Sequence, residues 1–151
     1  MKNEERKKPK KAYKFLKSFN KELKNGPYTL LTLQTIKQKK SANGQEIVEI
    51  ISKWSEGKID LSLKIYSLLR HLEKKKLLKA YWSEKTEGPP RKCYKLTENG
   101  ELVLEEGLKL LQEVKETTNL ITKILKEKHN TKRKRTNIEE SVQNVIIRRD
   151  Y

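Results

Sequence analysis

Apolar residues recur at steps of three and four along most of this chain and alternate only between Leu77 and Leu96. Tyr13, Phe15, Leu16, Phe19 and Leu23 predict an amphipathic helix from Ala12 that ends near Asn25-Gly26-Pro27. Gly26 offers a left-handed cap there, and Pro27 suits the first turn of a new helix. Leu30, Leu31, Leu33 and Ile36 predict that second helix, to Lys39, as the central core element. A turn at 41–44 leads to a third helix with Ile47, Val48, Ile50, Ile51 and Trp54 inside, ending at Glu56-Gly57. Asp60 or Ser62 then caps a fourth helix whose inner positions are Leu61, Ile65, Leu68, Leu69 and Leu72.

The period changes at Leu77. Leu78, Ala80 and Trp82 oppose Lys79, Tyr81 and Ser83; after Gly88-Pro89-Pro90, Lys92, Tyr94 and Leu96 oppose Arg91, Cys93 and Lys95. Two alternating strands around a Gly/Pro loop predict a hairpin with the prolines at its tip. Trp54 and Trp82 are expected in the core, because aromatic rings dominate the packing of small cores.

Thr97 is placed to cap a long helix, residues 98–128, with Val103, Leu110, Val114, Thr117, Ile121 and Ile124 at steps of seven, four, three, four and three. Leu104, Leu108, Leu111 and Leu125 widen that stripe. The first turns can pack on their own chain; the later ones need a second copy, so these six residues are the expected dimerisation seam. Residues 129–151 read as a basic linker followed by a short amphipathic segment with Ile138, Val142, Val145 and Ile146. Thr136 and Glu139 form its capping-box pattern. Residues 1–11 read as a flexible basic arm.

Composition narrows the partner. Only 34% of the 151 residues are hydrophobic, so the core is small and burial between subunits is an expected supplement. The net charge of +16 points to a polyanion, with nucleic acid first. The single cysteine, Cys93, cannot form an intramolecular disulfide, which suits a reducing compartment. No apolar run approaches the roughly 20 residues of a membrane span. A cytoplasmic, nucleoid-associated location is therefore expected. His71 and His129 have no partners at metal-ligand spacing, and no phosphate loop, paired acidic motif or nucleophile elbow is present. No cofactor is implied, and nothing in the sequence supports an enzyme.

The stretch Ile59–Thr97 has the order of a recognition helix and a wing. The fourth helix is aliphatic inside and carries Lys64, Ser67, Arg70, His71, Lys74 and Lys75 outside, with Glu73 its one acid in the middle. Lys64, Ser67, Arg70 and His71, with Ser62 before them, are candidates for the major groove; Arg70 is suited to a bidentate contact with guanine. Lys74 and Lys75 suit phosphates, which position without specifying. Lys85, Arg91 and Lys92 suit the backbone or minor groove beside the helix.

The whole is mostly α-helical with a small β-hairpin wing. It resembles the PadR family of winged helix-turn-helix transcriptional regulators, in the subgroup with a single C-terminal helix. The matching pieces run from Gly26-Pro27-Tyr28-Thr29-Leu30-Leu31 through Gly44-Gln45-Glu46-Ile47, Ile65-Tyr66, Leu69, Leu72-Glu73, Leu77-Leu78 and Trp82 to Gly88–Gly100, and the likeness extends to about Val114. It implies a winged DNA-binding domain at 12–97, a dimerisation helix, and a homodimer on a near-palindromic operator in double-stranded DNA, usually as a repressor. It implies a phosphate contact for Tyr66. In the family a small-molecule inducer sometimes releases the DNA, but no residue pattern here supports one. There are three departures from the family: Leu63-Lys64 replaces Gly-Thr, Lys76 replaces the glycine after the recognition helix, and Pro89 replaces the first basic residue of the wing tip. The alternative reading is an architectural or segregation protein that coats DNA with low sequence specificity, favoured by the surplus charge.

Overall fold

A computed structural model describes residues 10–84 and 87–149, with side chains to Gln143. The basic arm up to Pro9, the candidate Lys85, and the side chains of Val145 and Ile146 lie outside the described residues. Among the described residues the order is α1 (Lys10–Lys39), β1 (Ala42–Asn43), α2 (Gly44–Trp54), α3 (Ile65–Lys74), β2 (Leu78–Ser83), β3 (Arg91–Leu96) and α4 (Glu98–Arg149). The chain divides into two compact units, residues 1–108 and 109–151.

The expected break at Asn25-Gly26-Pro27 is absent, and α1 runs through it with Pro27 inside. Proline's fixed φ fits a helix; what it removes is one hydrogen bond, so a helix can continue past it. Gly26 has no left-handed φ and caps nothing. The two halves of α1 still differ. Residues 10–26 are exposed throughout, whereas Thr32, Leu33, Thr35 and Ile36 are buried. The hydroxyls of Thr32 and Thr35 donate to the carbonyls of Tyr28 and Leu31, each at 2.8 Å, so these buried polar groups are satisfied within the helix.

The turn at 41–44 contains a strand that the alternation missed. Ala42 and Asn43 pair with Tyr94 and Cys93, giving a sheet of order β1-β3-β2. Asn43 then caps α2: its side chain accepts from the Glu46 N–H at 3.0 Å, and the Glu46 carboxylate accepts from the Asn43 N–H at 3.3 Å. That is the reciprocal capping box, and Asn43-x-x-Glu46 is its sequence mark.

Leu33, Ile36, Ile47, Ile51, Leu61, Ile65, Leu69, Leu72, Leu78, Tyr94 and Leu104 form one core. The tryptophans do not join it. Trp54 is 48% exposed and Trp82 65%. Trp54 ends α2, at the rim. Trp82 lies on the inward side of β2, but burial fades from Leu78 through Ala80 before it is reached. Alternation fixes a side chain's face, not where the core stops.

Thr97 caps α4 as expected, accepting from the Gly100 N–H at 3.1 Å. The helix does not end at Lys128. It runs through residues 129–135, for which a linker was expected. That tract holds no Pro or Gly, and Lys and Arg are good helix formers. Thr136 caps nothing: its hydroxyl donates to the Lys132 carbonyl at 2.9 Å, one turn back.

Candidate nucleic-acid interface

Leu61, Ile65, Leu69 and Leu72 anchor α3 to the core. The approach differs from expectation. α3 begins at Ile65, and its N-cap is Lys64, with no side-chain cap bond. Asp60 instead closes the preceding turn, its carboxylate accepting from the Ser62 N–H at 2.9 Å. That bond, joined by one from the Ser62 side chain, holds the Asp60 carboxyl below its ordinary pKa. Its carboxylate thus stays charged on the approach to α3.

The end of α3 is closed by backbone. The Lys76 N–H donates to the Glu73 carbonyl at 2.9 Å and the Leu77 N–H to the Leu72 carbonyl at 3.0 Å. This is a Schellman motif, which needs a left-handed residue after the cap. Lys76 supplies it with φ of 60°, where glycine would be unstrained.

At ~100° per residue, the direction opposite the buried Ile65, Leu69 and Leu72 falls on Ser67, Arg70 and Lys74. All three are exposed. The remaining candidates separate to either side. Tyr66 and Arg70, with Gln45, Arg91 and Lys92, line a groove of about 370 Å³ between α3, the start of α2 and β3. Gly44 makes room for Tyr66, since a Cβ there would meet the tyrosine ring at 2.9 Å. Lys64, Ser67 and His71 line a second groove, of about 470 Å³, with Lys21, Asn25 and Tyr28 of α1. The Lys64 Nζ stands 5.9 Å from the centre of the Tyr28 ring. Ser62, Lys75 and Arg91 are exposed.

Glu73, the one acid of α3, is not left facing solvent alone. Lys92 on β3 reaches it at 3.2 Å. The hydrogen bond that Lys92 donates to Glu73 raises the Lys92 pKa, and Tyr94, whose ring centre is 5.7 Å from Nζ, adds to the shift. Wing and helix are thereby joined, and α3's negative charge is compensated at their seam.

Gln45, Lys21 and Asn25 were missed, because they enter the grooves from other helices and no local period marks such proximity. Val103, Leu110, Val114, Thr117, Ile121 and Ile124 are all exposed.

Among the described residues, no helix is long and apolar enough to cross a membrane. The family model for the transcriptional regulator PadR-like family matches residues 32–106, a narrower stretch than the Gly26–Val114 of the resemblance. A PadR-like transcription factor structure from Bacteroides fragilis is similar at 31% identity and TM-score 0.56, covering 69% of this chain and 98% of that one. A Streptococcus transcriptional regulator is similar at 25% identity and TM-score 0.58, over 66% and 96%. A PadR family regulator from Clostridium difficile R20291 is similar at 27% identity and TM-score 0.53, over 62% and 96%.

Proposed function

Because this chain belongs to the PadR-like family of transcriptional regulators, we propose that it is a homodimeric repressor that binds a specific sequence in double-stranded DNA. α3 enters the major groove and the β2–β3 wing lies along the backbone. The observation that carries this reading is the exposed row of α3. It holds Ser67, Arg70 and Lys74 and no acid; Glu73 lies off the row and is bonded to Lys92. A cationic face without counter-charges suits a duplex groove.

Arg70 has the planar donors for guanine, and Tyr66, Lys74, Lys75 and Arg91 suit the phosphates on either side. Ser62, Lys64 and His71 flank the row toward α1, and Ser67 keeps acceptor capacity while its hydroxyl donates to the Lys64 carbonyl at 2.9 Å. Lys92 acts in the wing through Glu73. Two copies join along Val103, Leu110, Val114, Thr117, Ile121 and Ile124 of α4.

Selection of bound duplexes from a random pool, at stated salt, tests the reading. One enriched near-palindromic site is expected, with affinity that falls steeply as salt rises. Arg70→Ala should relax one position in each half-site, by roughly 1–3 kcal/mol of discrimination. Equal affinity for all duplexes would favour coating of DNA, and a uniform loss in Arg70→Ala would remove Arg70 from base reading.

A further inference from the structure

Among the described large apolar side chains, Leu63 is the most exposed, at 98%. The turn before α3 orients it. The Lys64 and Ile65 N–H groups both donate to the Leu61 carbonyl, at 2.9 and 2.8 Å, so one turn close to α-helical winding leads into α3 and carries its phase back to Leu61. Leu61 is buried together with Ile65, as that phase requires. Leu63 then heads the outward row, followed by Ser67, Arg70 and Lys74 at steps of four, three and four. Its neighbour Lys64 leans aside over Tyr28. The outward tip at this end of α3 is therefore hydrocarbon, set in a row of polar and cationic groups.

The major groove offers a match for such a tip, the C5 methyl of thymine, and the N-terminal end of a recognition helix is the part that meets base edges. We infer that Leu63 is a specificity-determining residue that packs on a thymine methyl and selects thymine at one position of each half-site. This rests on the DNA-reading function proposed above.

The probe is the duplex that the full-length protein enriches from a random pool, remade with deoxyuridine for thymidine at each thymine of a half-site in turn. Only the methyl is lost. The wild-type protein should bind one of these duplexes roughly fourfold more weakly, the value of burying one carbon. Leu63→Ser should bind the thymine and deoxyuridine forms equally, with unchanged melting temperature and sedimentation mass. Comparing the two ratios cancels any effect of the methyl on the DNA itself. An unchanged thymine preference in Leu63→Ser, or no penalty at any position for the wild type, overturns the inference. So does a change of sedimentation mass, which would place Leu63 in a protein contact. If no duplex is enriched, DNA reading itself fails; an enriched duplex without methyl dependence sinks the role of Leu63 alone.

Discussion

Residues 27–108 and residues 109–143 use the same aliphatic side chains to opposite ends. In the first, Leu33, Ile36, Ile47, Leu69 and Leu104 are at most 2% exposed. In the second, Leu110, Val114, Leu120, Ile121, Ile124 and Leu125 are between 43% and 61% exposed, and every described residue is open to solvent. The difference is not composition. The buried rows of the first region meet rows from other elements. The second consists of helix alone, and a single helix cannot close a core. An aliphatic side chain left open forgoes about 1.5–3 kcal/mol of burial. The first region thus closes its core within one copy, and on our reading the second, together with Val103 at the end of the first, is half of an interface.

Substitutions can break this contrast. Ile121→Lys should have the largest effect, placing two charges in the proposed two-fold seam and leaving monomers in light scattering. Its winged unit should keep a native circular-dichroism spectrum; a variant still dimeric would remove Ile121 from the seam. Leu69→Ala, in the closed region, should cost about 2–5 kcal/mol in denaturant unfolding. A cost below about 1 kcal/mol would mean that the core is not closed there. Lys76→Gly should raise stability by about 1 kcal/mol, since it relieves a left-handed lysine; a loss would show that the side chain contributes more than its strain costs.

The smallest effect concerns pH. The pKa of Lys92 is raised above its ordinary 10.5 by Glu73. The contribution of that pair is complete below the ordinary lysine value and is lost as pH rises through the higher folded value. Glu73→Gln should remove this alkaline loss from thermal melts taken across the lysine range. An unaltered pH profile would assign the loss to other groups.

Much of this was legible in the chain. Leu61, Ile65, Leu69 and Leu72 declared the inner face of α3 by spacing, and Thr97 declared the start of α4 by its chemistry. What was not legible depends on extent and on neighbours. Pro27 permits a helix start without enforcing one. Trp82 obeys the alternation yet lies beyond the covered part of the sheet. β1 has two residues, too few to show a period, and exists because β3 offers it an edge. The candidate site divided in the same way. The outward row followed from periodicity, whereas the turning of Lys64 to Tyr28 and the pairing of Glu73 with Lys92 needed the fold.

The junction at Thr97 has a mechanical consequence. Its N–H donates to the Leu77 carbonyl at 3.1 Å and its hydroxyl to the Lys76 carbonyl at 2.7 Å. Gly100 lies so close that a Cβ there would meet the Leu77 oxygen at 2.1 Å. The first turn of α4 is therefore riveted to the segment where α3 hands over to the wing. No swivel can operate between them without breaking these bonds. A rotation of that first turn therefore pulls directly on the base of the wing.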